Sequence, residues 1–206
     1  MPLYEGVDGE NVKVGVTAVQ GDVSEHLDAV QAALRDLGVS GHAVPIRRPE
    51  SLEEMDALIV PGGESTTISK LLHEFDLADR IVQRAKEGMP LMGTCAGCIL
   101  LAKEGDVQVA STDTRLLGLM DMAVDRNAYG GQRESFEAAL DLESIGPMRG
   151  VFIRAPAIRR VWGGCRPLGR LDEAIVMARQ DHLVALTFHP ELSPSTGVHR
   201  YFLELV

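Results

Sequence analysis

Gly93-Thr94-Cys95-Ala96-Gly97 sets a cysteine between small residues in the pattern Gly-x-nucleophile-x-Gly. A sharp strand-to-helix turn has this form, and it holds its nucleophile in strained backbone. Flanking glycines are needed there because the chain passes close to itself. The amide N–H groups and dipole of the helix that follows favour a thiolate, the form that attacks a carbonyl carbon. Far along the chain, Phe188-His189-Pro190-Glu191 supplies a base and a carboxylate at the end of an apolar run. On a strand, residues two apart share a face at roughly 6–7 Å, so His189 and Glu191 can approach one point. A thiol, an imidazole and a carboxylate that fixes the imidazole's tautomer have the general form of a catalytic triad.

Pro61-Gly62-Gly63-Glu64-Ser65 is the third element. Its glycines let the backbone bend so that an amide, at Gly63, can point into a site. With the amide of Ala96 it would form the pair of donors that a tetrahedral oxyanion needs. Other readings of the same residues stand beside this one. Cys95 can be a buried core cysteine, and Cys95-Ala96-Gly97-Cys98 also has the C-x-x-C spacing of a thiol oxidoreductase. A zinc site has less support, because only Cys165 remains as a third thiol and no spaced His pair completes four ligands.

The elements that must position these residues can be read from periodicity. Val12 to Val19 is a short apolar run ending at Gln20-Gly21, and a buried parallel strand reads this way. Ser24 is a candidate N-cap for a helix whose Leu27, Val30, Leu34 and Leu37 repeat at helical spacing until Gly38. His42 to Ile46 reads as a strand, Ser51 and Glu54 as a capping box, and Ala57 to Val60 as the next strand. Ser65 to Glu87 reads as helix in two pieces parted near Phe75 to Leu77, and Pro90 to Gly93 as a strand entering a helix at Cys95. Alternation up to about Lys103 implies a parallel sheet whose ligands sit at the carboxyl ends of strands. Leu119 to Val124, Ser135 to Leu140, Gly150 to Arg154, Ala174 to Ala178 and Leu183 to Phe188 read as strands with little helix between them. They are expected as antiparallel additions to the sheet, followed by a helix from about Ser195 to Val206. The expected fold is α/β, a three-layer, mainly parallel open sheet with helices on both faces. Residues 12–206 are expected as one domain, and Met1 to Asn11 as a flexible tail.

The chain has 206 residues, 45% of them hydrophobic, enough for one core. Thirty Asp and Glu against 20 Lys and Arg leave a formal charge of −10. That balance repels phosphate backbones and directs attention to small molecules and proteins as partners. Three cysteines argue against a secreted disulfide framework. No signal peptide or membrane helix is legible, so a cytoplasmic protein is expected.

Taken together, the motifs resemble those of class I, triad-type glutamine amidotransferases. Val19-Gln20-Gly21, Arg126-Asn127-Ala128-Tyr129-Gly130, Ser135-Phe136-Glu137 and Gly150-Val151-Phe152-Ile153-Arg154-Ala155-Pro156 are similar to the glutaminase subunits of pyridoxal 5'-phosphate synthase. The resemblance implies that Cys95 attacks the glutamine carboxamide, His189 shuttles the proton and Glu191 orients His189. It implies that Gly63, Glu64, Ser65, Arg126, Ile153 and Arg154 hold L-glutamine, and that Gln20 lies near the partner and the oxyanion site. It implies no cofactor and no metal, and a barrel-shaped synthase subunit that receives the ammonia. A glutaminase for another ammonia acceptor, a C-x-x-C oxidoreductase and a non-catalytic partner-binding homologue are the competing readings. Cys98 stands where this family carries an aliphatic residue.

Overall fold

The computed structural model describes residues 11–128 and 135–206. Nearly all of the expected tail, and Tyr129 and Gly130 of the Arg126–Gly130 segment, lie outside the described residues. The first half runs β1 (Val12–Thr17), α1 (Val23–Leu37), β2 (Gly41–Ile46), β3 (Ala57–Val60), α2 (Ser65–Glu74), α3 (Leu77–Lys86), β4 (Leu91–Thr94) and α4 (Ala96–Leu101). The second half adds β5 (Ala102–Gly105), α5 (Val107–Ala110), β6 (Met120–Asp125), β7 (Ser135–Leu142), β8 (Gly146–Ile153), β9 (Ala157–Val161), β10 (Arg166–Leu171), β11 (Ala174–Gln180), β12 (Leu183–Leu186) and α6 (Gly197–Leu203).

The main sheet has the order β2-β1-β3-β4-β12-β11-β9-β6-β5, with β10 beside β11. From β2 to β12 neighbouring strands are parallel. From β12 through β11 and β9 to β6 they are antiparallel. In β3, Ala57 and Ile59 face α1 and α6, while Leu58 and Val60 face α2, α3 and α4. All four are completely buried, so the strand reads as an unbroken apolar run rather than an alternation. Fully burying an aliphatic side chain of this kind contributes about 1.5–3 kcal/mol. One core packs Val14, Val16, Val30, Leu34 and Phe202; the other packs Ile68, Leu72, Ile81 and Leu100 on the opposite face. This is the expected α/β architecture.

Several local expectations are corrected. Helix α1 begins at Val23, with Asp22 rather than Ser24 at its N-cap, and Asp22 makes no capping bond with its side chain. Its carboxylate is engaged elsewhere, as described below. The Ser51–Glu54 box lies inside a 3-10 turn over Pro49–Glu54 that has no side-chain cap, because Pro49 starts the turn two residues earlier. Strands β7 and β8 do not join the main sheet but pair with each other as a hairpin. Ser144 and Gly146, both at positive φ, make the tight connection, and Leu140, Leu142 and Phe152 bury against the α1 and α6 side. The break between α2 and α3 falls as expected, at Phe75 and Asp76, with Asp76 left-handed.

The central order β3-β4-β12 matters most for chemistry. It lays three carboxyl ends side by side, so Pro61-Gly62-Gly63, Cys95 and the segment reaching His189 emerge at one edge. They come from distant parts of the chain, and the parallel register of β4 with β12, from Leu91 with Leu183 to Thr94 with Leu186, makes them neighbours.

Candidate active site

Cys95 sits between β4 and α4 at φ 48° and ψ −103°, a strained conformation for a non-glycine residue. Its amide donates to the Leu186 carbonyl at 2.8 Å, which anchors the turn to β12. The flanking glycines are required by contact: a Cβ on Gly93 would lie 2.6 Å from the Gly97 carbonyl oxygen, and one on Gly97 would overlap the Val60 carbonyl. The thiol is 7% exposed, and its Sγ donates weakly to the Ile153 carbonyl at 3.9 Å.

His189 is buried, and its amide donates to the Val151 carbonyl at 2.8 Å. Its Nδ1 lies 2.6 Å from Glu191 Oε1, and 3.3 Å from Asp22 Oδ2. With Nδ1 occupied, Nε2 is the ring nitrogen left free to exchange a proton. Burial opposes charge on His189. Hydrogen bonds with Asp22, Cys95 and Glu191, and the attraction of Cys95, outweigh it and push the imidazole up to about 12. Asp22 is correspondingly held low by its hydrogen bond from His189. Glu191 moves up, because the burial of its side chain outweighs the hydrogen bond from His189. The pairing does not arise from strand alternation as expected. Strand β12 stops at Leu186 and Glu191 lies in a 3-10 turn over Pro190–Leu192, which curls the carboxylate back under the ring. Asp22, His189 and Glu191 place ligand atoms within 4.8 Å of one another, as a cation site would. The imidazole proton already occupies that space.

In front of the thiol lies a cavity of about 390 Å³, the size of a small-ligand pocket. Gly63, Glu64, Ser65, Arg126, Ile153 and Arg154 all line it, as do Gln20 and Ala96. Gly62 and Gly63 are pressed between neighbours: a Cβ on Gly62 would meet His189 Cε1 at 2.5 Å and one on Gly63 would meet Gln20 Oε1 at 2.5 Å. Gln20 accepts the Glu64 amide proton at 2.9 Å, fixing the loop from the β1 side. Glu64 caps α2, accepting from the amides of Thr66 at 3.2 Å and Thr67 at 2.7 Å. Burial works against its charge, but these bonds, the Thr67 hydroxyl and Arg126 hold the carboxyl low. Arg126 pairs with Glu64 across the cavity and also reaches the Thr66 hydroxyl at 3.2 Å. The Ser65 hydroxyl is buried with no hydrogen-bond partner among the described residues, a polar atom left for a ligand. Arg154 follows β8 at φ 42°, where the chain turns over the thiol.

Sequence reading missed Asp22, Ile99 and Gln108 in the lining, quoted Asn127 and Pro156 as motif residues without a role in the site, and missed His26 and His199 behind it. His26 was legible in principle: it lies four residues before Val30 on the buried stripe of α1.

Comparison with known proteins agrees with this geometry. The chain matches the SNO glutamine amidotransferase family over residues 16–206. It is 52% identical over 194 residues to pyridoxal 5'-phosphate synthase subunit PdxT of Archaeoglobus fulgidus, covering 94% of this chain and 98% of the relative. It is 47% identical over 198 residues to the same subunit of Metallosphaera sedula, covering 95% and 99%. A solved glutamine amidotransferase superposes with a TM-score of 0.83 at 48% identity, covering 93% of this chain and 97% of that one. With the match spanning every element of the site, the chain belongs to the SNO glutamine amidotransferase family.

Proposed function

We propose that this chain is the glutaminase subunit of a pyridoxal 5'-phosphate synthase, hydrolysing L-glutamine to L-glutamate and ammonia and passing the ammonia to a synthase subunit. The observation that carries the reading is Cys95 on a strained elbow, in one cavity with an imidazole whose Nδ1 lies 2.6 Å from Glu191. The Cys95 sulfur attacks the carboxamide carbon of glutamine while its proton resides on His189. The tetrahedral oxyanion takes hydrogen bonds from the amides of Ala96 and Gly63. Collapse breaks the C–N bond, His189 gives its proton to the leaving nitrogen, and ammonia departs from a γ-glutamyl thioester. Water then attacks the thioester with His189 as base, and C–S cleavage returns the thiol and releases glutamate. Glu191 holds the tautomer and balances the imidazolium throughout.

Glutamine presents an ammonium and a carboxylate beside the reacting amide. Glu64 takes the first and Arg126 or Arg154 the second, with the Ser65 hydroxyl and the backbone at Ile153 and Gly63 completing the grip. Gln20 accepts from the Glu64 amide beside Gly63, and a docked partner that moved Gln20 would thereby adjust the oxyanion donor. The partner is read as a synthase subunit, because the relatives are named as subunits of a synthase, and its barrel shape is what the family resemblance implies. Residues 12–206 act as one amidotransferase domain. Among the described residues no helix is long and apolar enough to cross a membrane, and the three cysteines are free. A cytoplasmic setting fits these thiols.

A dithiol reaction has little support. Cys98 is completely buried, and that burial, with its neighbours Cys95 and Cys165, pushes its thiol well up. The test is ammonia release from glutamine by wild type, Cys95→Ala and Cys98→Ala, each with and without a synthase subunit. Activity that is abolished in Cys95→Ala and survives in Cys98→Ala supports the reading. A reaction that needs both thiols and consumes no glutamine replaces it.

A further inference from the structure

Behind Glu191 the fold holds two imidazoles that the reaction above does not use. His26 on α1 and His199 on α6 are completely buried, and the Glu191 side chain is too. His26 Nε2 lies 3.1 Å from Thr94 Oγ1 and 3.3 Å from Glu191 Oε2. His26 Nδ1 lies 3.2 Å from His199 Nε2. At the far end, His199 Nδ1 has no hydrogen-bond partner among the described residues. Glu191 Oε2 has no hydrogen-bond partner among the described residues either: His26 Nε2 comes within 3.3 Å of it but makes its hydrogen bond with Thr94 Oγ1.

These positions select one arrangement of protons. Burial, His199 and His189 keep His26 well below its ordinary range, and burial holds His199 at about 4, so each ring carries one N–H at neutral pH. One arrangement has His199 Nε2–H donating to His26 Nδ1, and His26 Nε2–H donating to Thr94 Oγ1 with its positive edge beside Glu191 Oε2. The atom then left over, His199 Nδ1, is only an unused acceptor. The reverse arrangement buries an N–H with no acceptor at His199 Nδ1 and turns a lone pair of His26 on the carboxylate. Both features are unfavourable in a dry interior, so the first arrangement is selected.

We propose that His26 and His199 are positioning residues, a buried imidazole string that, held by Thr94, sets the N–H edge of His26 beside Glu191 Oε2 and thereby keeps Glu191 Oε1 on His189 Nδ1. The inference rests on the triad reading given above. A carboxylate tied at only one oxygen can rotate away from the ring. With the N–H edge of His26 beside its second oxygen, it holds His189 with Nε2 toward the thiol, and the two helices become the rigid support of the site.

The test is steady-state glutaminase kinetics of the chain with its synthase subunit for wild type, His26→Leu, His26→Gln, Glu191→Gln and the double variant His26→Leu/Glu191→Gln. His26→Leu is expected to lower kcat about 10- to 100-fold, part of the roughly 10²–10⁴ that a positioned base supplies, with KM within about twofold. His26→Gln places an amide N–H near the Nε2 position and is expected to recover most of the loss. In the Glu191→Gln background, His26→Leu is expected to change kcat less than about twofold, since groups acting as one unit are not additive. A wild-type kcat in His26→Leu beside a crippled Glu191→Gln overturns the inference and leaves the triad intact. A wild-type rate in Glu191→Gln overturns the triad reading itself. If His26→Leu does not fold, His199→Leu, flanked by the buried Val198 and Phe202, carries the same test with His199→Gln as its rescue. There a loss of about 3- to 10-fold in kcat supports the string, and no loss overturns it.

Discussion

The two sides of the Cys95–His189 pair are built from different materials. At the mouth, Glu64, Arg126, Ile153 and Arg154 come from loops and element ends, and each keeps some exposure to solvent. At the back, Glu191, Thr94, His26 and His199 are sealed among helices and strands, and the polar atoms there lean on one another. Charges that meet solvent can be exchanged for those of a ligand at little expense. Polar groups in a dry interior must keep their partners. The mouth is therefore suited to binding, and the back to holding one geometry.

The sharpest way to break this comparison is at Glu191. Glu191→Gln preserves shape but cannot balance an imidazolium, and kcat is expected to fall about 10²–10⁴-fold, with KM nearly unchanged. A variant that instead raised KM would place Glu191 in binding. Next in size is Arg126→Gln at the mouth. Losing a charge-assisted contact of about 1.5–3 kcal/mol is expected to raise KM about 10- to 100-fold at nearly constant kcat. Steady-state glutamine titration separates the two cases, and a loss confined to kcat would show that the mouth also positions the reacting atoms.

The smallest effect is on stability against pH. His199 is held at about 4 in the folded protein against 6.5 unfolded, its burial being the cause. Below 6.5 the unfolded chain binds more protons at this residue. Its contribution is therefore fully present above 6.5 and is lost as pH falls toward 4, on the order of 3 kcal/mol in total. His26 acts in the same direction, while Glu191, whose folded value is raised, acts in the opposite one. The variant comparison isolates the histidine. His199→Leu is expected to flatten the fall in Tm between pH 6.5 and 4 relative to wild type, followed by thermal unfolding across that range. Equal slopes would mean that His199 can charge in place.

The elements near the site were the most legible. Ala57–Val60 and Pro90–Gly93 read as short strands broken by Pro-Gly or entering Gly-x-Cys, and they stand within a residue at Ala57–Val60 and Leu91–Thr94, because strands buried on both faces have no polar alternation to blur them. The edge of the sheet was not legible. Ala102–Gly105 has one buried residue, and Arg166–Leu171 carries Arg and Pro, so neither β5 nor β10 has an apolar period to find. The hairpin β7–β8 was found as strands but assigned to the wrong sheet. Strand pattern reports which face is apolar and not which neighbour covers it.

The amino-acid sequence determined the chemistry on its own where covalent neighbours do the work: the cysteine elbow, the glycines that admit it, and a histidine two residues from its carboxylate. Tertiary structure decided what depends on distance through space. It set β12 beside β4 so that His189 meets Cys95, turned Asp22 from capping a helix to facing the imidazole, and brought His26 and His199 together behind Glu191. The reason is that a side chain's bonding partner in a packed interior is chosen by the register of strands and the docking of helices. No local pattern in the chain encodes those contacts.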